Sequence, residues 1–244
     1  MDLFKINLHV HSNFSDGTNT IEQIVIKGIE LGITYLSITD HLSNSWKSNV
    51  IPTLDSSAKI DNYLSEITRI NHYLKNIDAK LRVLKGIEID IGSDMEYIIK
   101  LINPNKFDLI LFEYIENYEG LAFVSNIINY WRSSSTSKHK ITLFGVAHLN
   151  PIHFYYGKFN RLIDFFTTYR LIYEFNASYP DSYSPKYKEL FQRLKDHQIY
   201  FSIGSDSHNI ESLSDIESPL RMIDYYDLQK NYKQLIRELD NLVF

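Results

Sequence analysis

Two histidines stand at i and i+2 in Asn7-Leu8-His9-Val10-His11. Strand side chains alternate with period two, so on the strand that Phe4-Lys5-Ile6 begins, both imidazoles project from one face and can reach one metal ion. Asp16 follows in a Ser-Asp-Gly turn, and Gly17 permits the sharp reversal that would fold its carboxylate back towards the same place. By itself this is half of a metal site, equally readable as two ordinary strand histidines. The partners must come from elsewhere in the chain.

Strand and helix patterns alternate along the sequence and supply them, as expected for repeated units with parallel strands. Asn19 and Glu22 have the spacing of a capping box, and Ile21, Ile24, Val25, Gly28 and Ile29 make the stripe of a first helix. Further strands are read at 35–39, 81–88, 107–112, 141–147, 171–176 and 199–204. A polar loop from Leu42 to Ser57 forms a lid or pocket wall. Helices are expected at 59–77, 95–102, 121–131, 159–169 and 185–197, and a last one carries Tyr225, Leu228, Tyr232, Leu235, Ile236 and Leu239. The low-complexity run Arg132–Lys138 reads as a solvated loop, since strand and helix resume after it.

The ionisable residues that end these strands are His9 and His11, His41, Glu88, Glu113, His148, and Asp206 with His208. In a parallel barrel all such positions lie on the carboxyl-end rim, where barrel enzymes place their chemistry. Six of the seven strands contribute, and five of the nine histidines are used. With Asp16 the set holds imidazole and carboxylate without thiolate, which suits Zn, Mn or Fe and is enough for three ions.

Composition is consistent with this. The 244 residues suit one large domain, 1–244, and a hydrophobic content of 44% supplies its core. There is no apolar run of membrane length, no secretory leader is expected, and the absence of cysteine excludes disulfides and thiolate zinc sites. A cytoplasmic location is expected. A net charge of -5 argues against a sequence-independent grip on nucleic acid and favours a small substrate.

Taken in order, His9-x-His11, Ser15-Asp16-Gly17, Thr39-Asp40-His41, Gly86-Ile87-Glu88, His148 and Gly204-Ser205-Asp206-Ser207-His208 resemble the PHP family, named for polymerase and histidinol phosphatase. The resemblance spans essentially the whole chain. It implies a distorted (β/α)7 TIM-like barrel and two or three divalent metal ions that hydrolyse phosphoesters. It also implies that His9, His11, Glu88 and Asp206 surround one ion, that Glu88 bridges to a second held with His148, and that Asp16, His41 and His208 hold a third. The family's fourth strand usually ends in Ser-x-His, whereas this chain reads Phe112-Glu113-Tyr114-Ile115-Glu116. Glu113 is the expected replacement ligand and Glu116 the runner-up. A carboxylate there favours Mn or Fe, and the alternative is a depleted second site.

The expected activity is metal-dependent phosphoesterase or phosphatase, in which a water or hydroxide between ions attacks phosphorus. His208 and Asp16 are the candidate catalytic residues, His208 as a group that assists the leaving alkoxide. Four carboxylates against three divalent ions leave about two positive charges to attract phosphate. A nuclease would need a groove for a polymer, and a non-catalytic metal-binding barrel is the third reading. Asp40 is expected to orient His41 or cap the loop, and Glu174 and Asn176 to hydrogen-bond within the barrel mouth. Arg221 is a candidate phosphate binder against a helix salt bridge, and Trp46 a candidate pocket wall. His153 is read as a surface side chain, and His72, His139 and His197 as structural or solvent-facing.

Overall fold

Seven main strands pair in parallel. The computed structural model describes residues 5–134 and 142–242. In chain order the strands are β1 (Ile6–Val10), β2 (Tyr35–Ile38), the two-residue β3 (His41–Leu42), β4 (Arg82–Asp90), β5 (Leu109–Glu113), β6 (Leu143–Val146), β7 (Ile172–Asn176) and β8 (Tyr200–Gly204). The sheet runs β1-β2-β4-β5-β6-β7-β8, with β3 beside β4 where β2 has ended. Most strand residues are buried on both faces, because helices cover the outside of the sheet and side chains fill its inside.

The sheet is nearly a closed barrel, and its seam between β1 and β8 is joined in two ways. Near the rim the backbone pairs, Asp206 N–H to His9 O at 2.9 Å and His11 N–H to Ser207 O at 2.9 Å. Below that, the Asn7 side chain takes the place of a ladder: its amide donates to Ser205 Oγ at 2.7 Å and its oxygen accepts from Ser205 N at 3.0 Å. Buried polar groups need such partners, so Asn7 is a structural requirement of closure.

Helices α1 (Ile21–Glu30), α2 (Ser57–Asn76), α3 (Met95–Leu101), α4 (Tyr118–Ser134), α5 (Asn160–Tyr169), α6 (Lys188–Asp196), α7 (Glu217–Tyr225) and α8 (Gln229–Asp240) follow the strands. No helix among the described residues is long and apolar enough to cross a membrane. Element ends differ from expectation by a few residues, and three differences have a physical cause in the structure. The capping box of α1 is Thr20 with Gln23, because Asn19 is used elsewhere, its Oδ1 accepting from Ile210 N at 3.0 Å. The expected last helix is two: Asp227 adopts φ 56° and breaks the run between α7 and α8. Arg132–Ser134 of the low-complexity run are the last residues of α4; the rest of that run, with His139, lies outside the described residues.

Register sets the site. His41 lies opposite Glu88 on β3 and β4, and Asp90 opposite Glu113 on β4 and β5. Tyr63 of α2 is wholly buried, its hydroxyl 2.7 Å from Ile38 O and 2.8 Å from Gly86 O, which ties the helix to β2, three residues before His41, and to β4, which carries Glu88.

Candidate metal centre

The loop after β1 is shaped by Asp40, which is fully buried and accepts from Ser12 N at 2.8 Å, Ser12 Oγ at 2.5 Å and Ser15 Oγ at 2.5 Å. Burial pushes its carboxyl above the usual range, against these hydrogen bonds. Asp40 thus caps the loop. Gly17 closes the turn with no room for a side chain, since a Cβ there would lie 2.4 Å from His11 O. Asp16 is turned by this loop to within 3.7 Å of His11 Nδ1 and 3.6 Å of His41 Nε2. His208 arrives from the loop after β8, with Nε2 3.3 Å from Asp16 Oδ2.

Three interlocking groups of possible ligands result: His11, Asp16, His41 and His208; His9, His11 and Asp206; and His41, Glu88 and Glu113. Glu88 is central. Its oxygens lie 3.3 Å from His9 Nε2, 3.5 Å from His11 Nε2, 2.9 Å from His41 Nδ1 and 3.2 Å from His148 Nε2. His9 Nε2 and His11 Nε2 face each other at 3.1 Å. His148 and Asp206 follow β6 and β8 with φ of 33° and 55°, a left-handed backbone costing about 1 kcal/mol or more for such residues. The turn so made brings both side chains to the mouth.

The donor set fits divalent ions. Glu88 Oε1, Glu88 Oε2 and His11 Nδ1 are buried without a hydrogen-bond partner. Buried polar atoms are rarely left so, and nitrogen and oxygen lone pairs converging at these distances without hydrogen-bond alignment are the arrangement a cation satisfies. Outside the ring, Glu174 Oε1 lies 2.8 Å from His9 Nδ1 and Glu174 Oε2 accepts from His148 N at 2.6 Å. A proton held on His9 Nδ1 leaves the Nε2 lone pair facing inward, the usual role of a carboxylate behind a metal-binding histidine. Gly204 gives Glu174 its space: a Cβ there would lie 2.1 Å from Glu174 Oε1 and 2.5 Å from His9 Cβ. Gly204→Ala is expected to displace Glu174, costing about 1–3 kcal/mol of stability and weakening metal binding. Chemical denaturation with and without Mn checks it, and an unchanged midpoint in both would refute it.

Charge in the ring is strongly coupled. Burial lowers the affinity of His9 and His41 for protons, but the carboxylates outweigh it: Glu88, Glu174 and Asp206 raise His9, and Glu88 with Glu113 pushes His41 up to about 10. Burial opposes the ionised forms of Asp16 and Asp206, yet the histidines around them hold both well below the usual carboxylate range. His11, buried and beside His41, is lowered to about 4.

For His41 the folded value lies above the ordinary 6.5. Its contribution to stability is therefore complete below that pH and is lost as pH rises through about 10. The metal-free protein should melt at falling temperature across this window, and divalent ions, which need the unprotonated imidazole, should release protons on binding. Thermal melts in chelator from pH 6.5 to 10 test this; a flat or rising Tm there contradicts it.

The cavity over the ring has a volume of about 190 Å³ and is lined by all the ligand candidates but His9 and His11, together with Trp46, Lys47, Val50, Ile51, Tyr114 and Tyr179. Trp46 thus forms a wall, 66% exposed. Tyr179 stacks on His148 at 4.4 Å. Arg221 does not reach the cavity; it is exposed on α7, and its contact is Glu217 at 3.6 Å, one turn away on the same helix. Glu116 lines the neighbouring hollow, not this one. Sequence reasoning passed over Lys47, which enters beside Glu113, because nothing in a Ser- and Asn-rich loop marks one lysine as buried. Tyr179 was hidden equally, among many tyrosines.

A nearly closed parallel barrel with a histidine and carboxylate cluster on its carboxyl-end rim defines a metal-binding α/β barrel. The PHP domain family model matches residues 7–243, and the chain belongs to that family. It is 25% identical over 223 residues to the DNA polymerase/3'-5' exonuclease PolX of Bacillus subtilis, covering 88% of this chain and 36% of that protein. The chain therefore spans about a third of that relative's length. The fold is shared with histidinol phosphate phosphatase of Lactococcus lactis, solved with Zn, L-histidinol and phosphate (TM-score 0.62, 15% identity, 92% of this chain and 94% of that one). It is shared too with a Listeria monocytogenes chain described as a histidinol phosphatase, hisK (TM-score 0.57, 16% identity, 86% and 97%).

Proposed function

We propose that this protein is a metal-dependent phosphoesterase that hydrolyses a small phosphorylated substrate at a site of two or three divalent ions. The observation that carries the reading is the pair of buried, unpartnered Glu88 oxygens at the centre of four histidines. His9, His11, Glu88 and Asp206 would hold one ion and Asp16, His41 and His208 another; Glu88 with His148 is the remaining pair. Bound ions would supply an activated water and neutralise phosphoryl oxygens. The protein's own groups orient and select. Glu174 fixes the His9 ring, and His208 Nδ1 lies 2.9 Å from Asp206 O, so a proton held there leaves Nε2 directed at Asp16 and the mouth. His208, 39% exposed in its side chain, is the ring histidine most open to the mouth, with Asp16 beside it. Trp46 and Tyr179 wall a mouth sized for a phosphoryl group and part of its ester. The fold neighbour bound to L-histidinol and phosphate supports a small phosphomonoester as substrate, and the cysteine-free composition supports a cytoplasmic setting.

Likeness to PolX favours a second reading, 3'-5' exonuclease. The net charge of -5 and the small cavity weigh against it. Turnover of sugar phosphates, nucleoside monophosphates, histidinol phosphate and single-stranded DNA should be compared after EDTA treatment and after return of Mn or Zn. Metal-restored hydrolysis of a small phosphomonoester is expected. Activity unaffected by thorough chelation would sink the proposal, and degradation of DNA alone would select the exonuclease.

A further inference from the structure

Lys47 is out of place for a lysine. Its side chain is 9% exposed, and its ammonium lies 2.6 and 2.8 Å from the two Glu113 oxygens and 3.1 Å from His41 Nδ1. Lysines are almost never buried without a partner, and here the partner is the residue that stands where a metal ligand was expected. The placement is built into the loop. Lys47 lies in a single 3-10 turn, Trp46–Asn49, capped by Ser45. Ser43 and Ser45 both hydrogen-bond to Asp90, which anchors the turn to the end of β4. The Tyr114 ring covers the ammonium at 5.0 Å.

Glu113 thus offers both oxygens to a cation that the chain already provides. A divalent ion placed between Glu88 and His148 would compete with Lys47 for those oxygens and would stand beside a fixed positive charge in a poorly solvated pocket. We propose that the Lys47 ammonium takes the place of one divalent ion, neutralising Glu113 in the loaded protein, so that the chain holds two ions and one lysine in place of three ions. The inference rests on the metal-dependent reading above. Lys47 is here a fixed charge beside the ions and belongs to the site's permanent structure.

Metal analysis after equilibration with excess Mn and removal of free ion should give about two ions per wild-type chain. Lys47→Met keeps the volume, frees Glu113 and should raise the count to about three. Amine acylation read by mass spectrometry gives a second measure on the wild type. Lys47 should react at least about tenfold more slowly than the exposed Lys59, with and without Mn. Lys47→Met/Glu113→Gln removes both charges, guards against misfolding of the single variant and should return the count to two. Three ions in the wild type, with Lys47 becoming reactive on loading, would overturn this inference and leave the phosphoesterase standing. A folded Lys47→Met variant that stays at two ions would overturn it also. No bound ion in the wild type would overturn the functional reading and this one with it.

Discussion

Glu88→Gln should abolish turnover, lowering kcat by about 1,000-fold or more, with no recovery at high metal concentration. The reason is the number of partners that lose a charge at once. Glu88 is 1% exposed, and its two oxygens approach His9, His11, His41 and His148 within 3.5 Å. An amide offers one weakly donating oxygen where two anionic ones stood, and its NH2 would point a donor at ring nitrogens that must keep their lone pairs free. Any ion held beside Glu88 would then lose a ligand atom of the right kind as well as a neutralising charge. The replacement is isosteric, so the barrel should remain folded by circular dichroism, while metal analysis shows at least one ion missing. A variant that keeps about a tenth of wild-type turnover would show that Glu88 is not at the centre of the chemistry.

Glu174→Gln should act differently, through affinity. Glu174 pairs with His9 Nδ1 and accepts from His148 N with its other oxygen, which also accepts from Asn176 Nδ2 at 3.1 Å. If a glutamine keeps its oxygen towards His9, its NH2 meets two donors; reversed, it faces the imidazole Nδ1 with a donor and favours the wrong tautomer. Metal affinity should fall about 10- to 100-fold. Because Glu174 positions a ligand and does not reach the mouth, saturating Mn should restore most of kcat, separating it from Glu88. Titration calorimetry with Mn, followed by kinetics at saturating metal, gives both quantities. Unchanged affinity would remove Glu174 from the site.

The rim was legible because the geometry of parallel strands forces it. Once strand ends are located from alternating apolar runs, His41, Glu88, Glu113, His148 and Asp206 must share one face, and the register of His41 with Glu88 follows from two neighbouring strands. What depends on loop backbone was not legible. The left-handed turns at His148 and Asp206, the 3-10 turn that buries Lys47 and the Tyr179 stack arise from conformations that no periodicity encodes. Glu113 shows the difference most clearly. Its position at a strand end was correct, but its partner comes from a loop 66 residues earlier, so a metal ligand and a lysine counter-ion look alike in sequence. The shift of the α1 cap to Thr20 has the same origin, since Asn19 is drawn away by Ile210.

The seam between β1 and β8 has a bearing on how the protein is made. His11 and Asp206, 3.0 Å apart in the fold, are 195 residues apart in the chain, and the Asn7 contact that closes the barrel spans 198. Contacts so distant in sequence form late and slowly. While the chain is being synthesised from its amino end, the paired histidines lack Asp206 and His208 until some 195 further residues have been added. A nascent chain without Asp206 and His208 therefore carries only part of the ligand set, and the complete centre appears together with barrel closure. Closure of this seam would couple completion of the metal centre to completion of the fold.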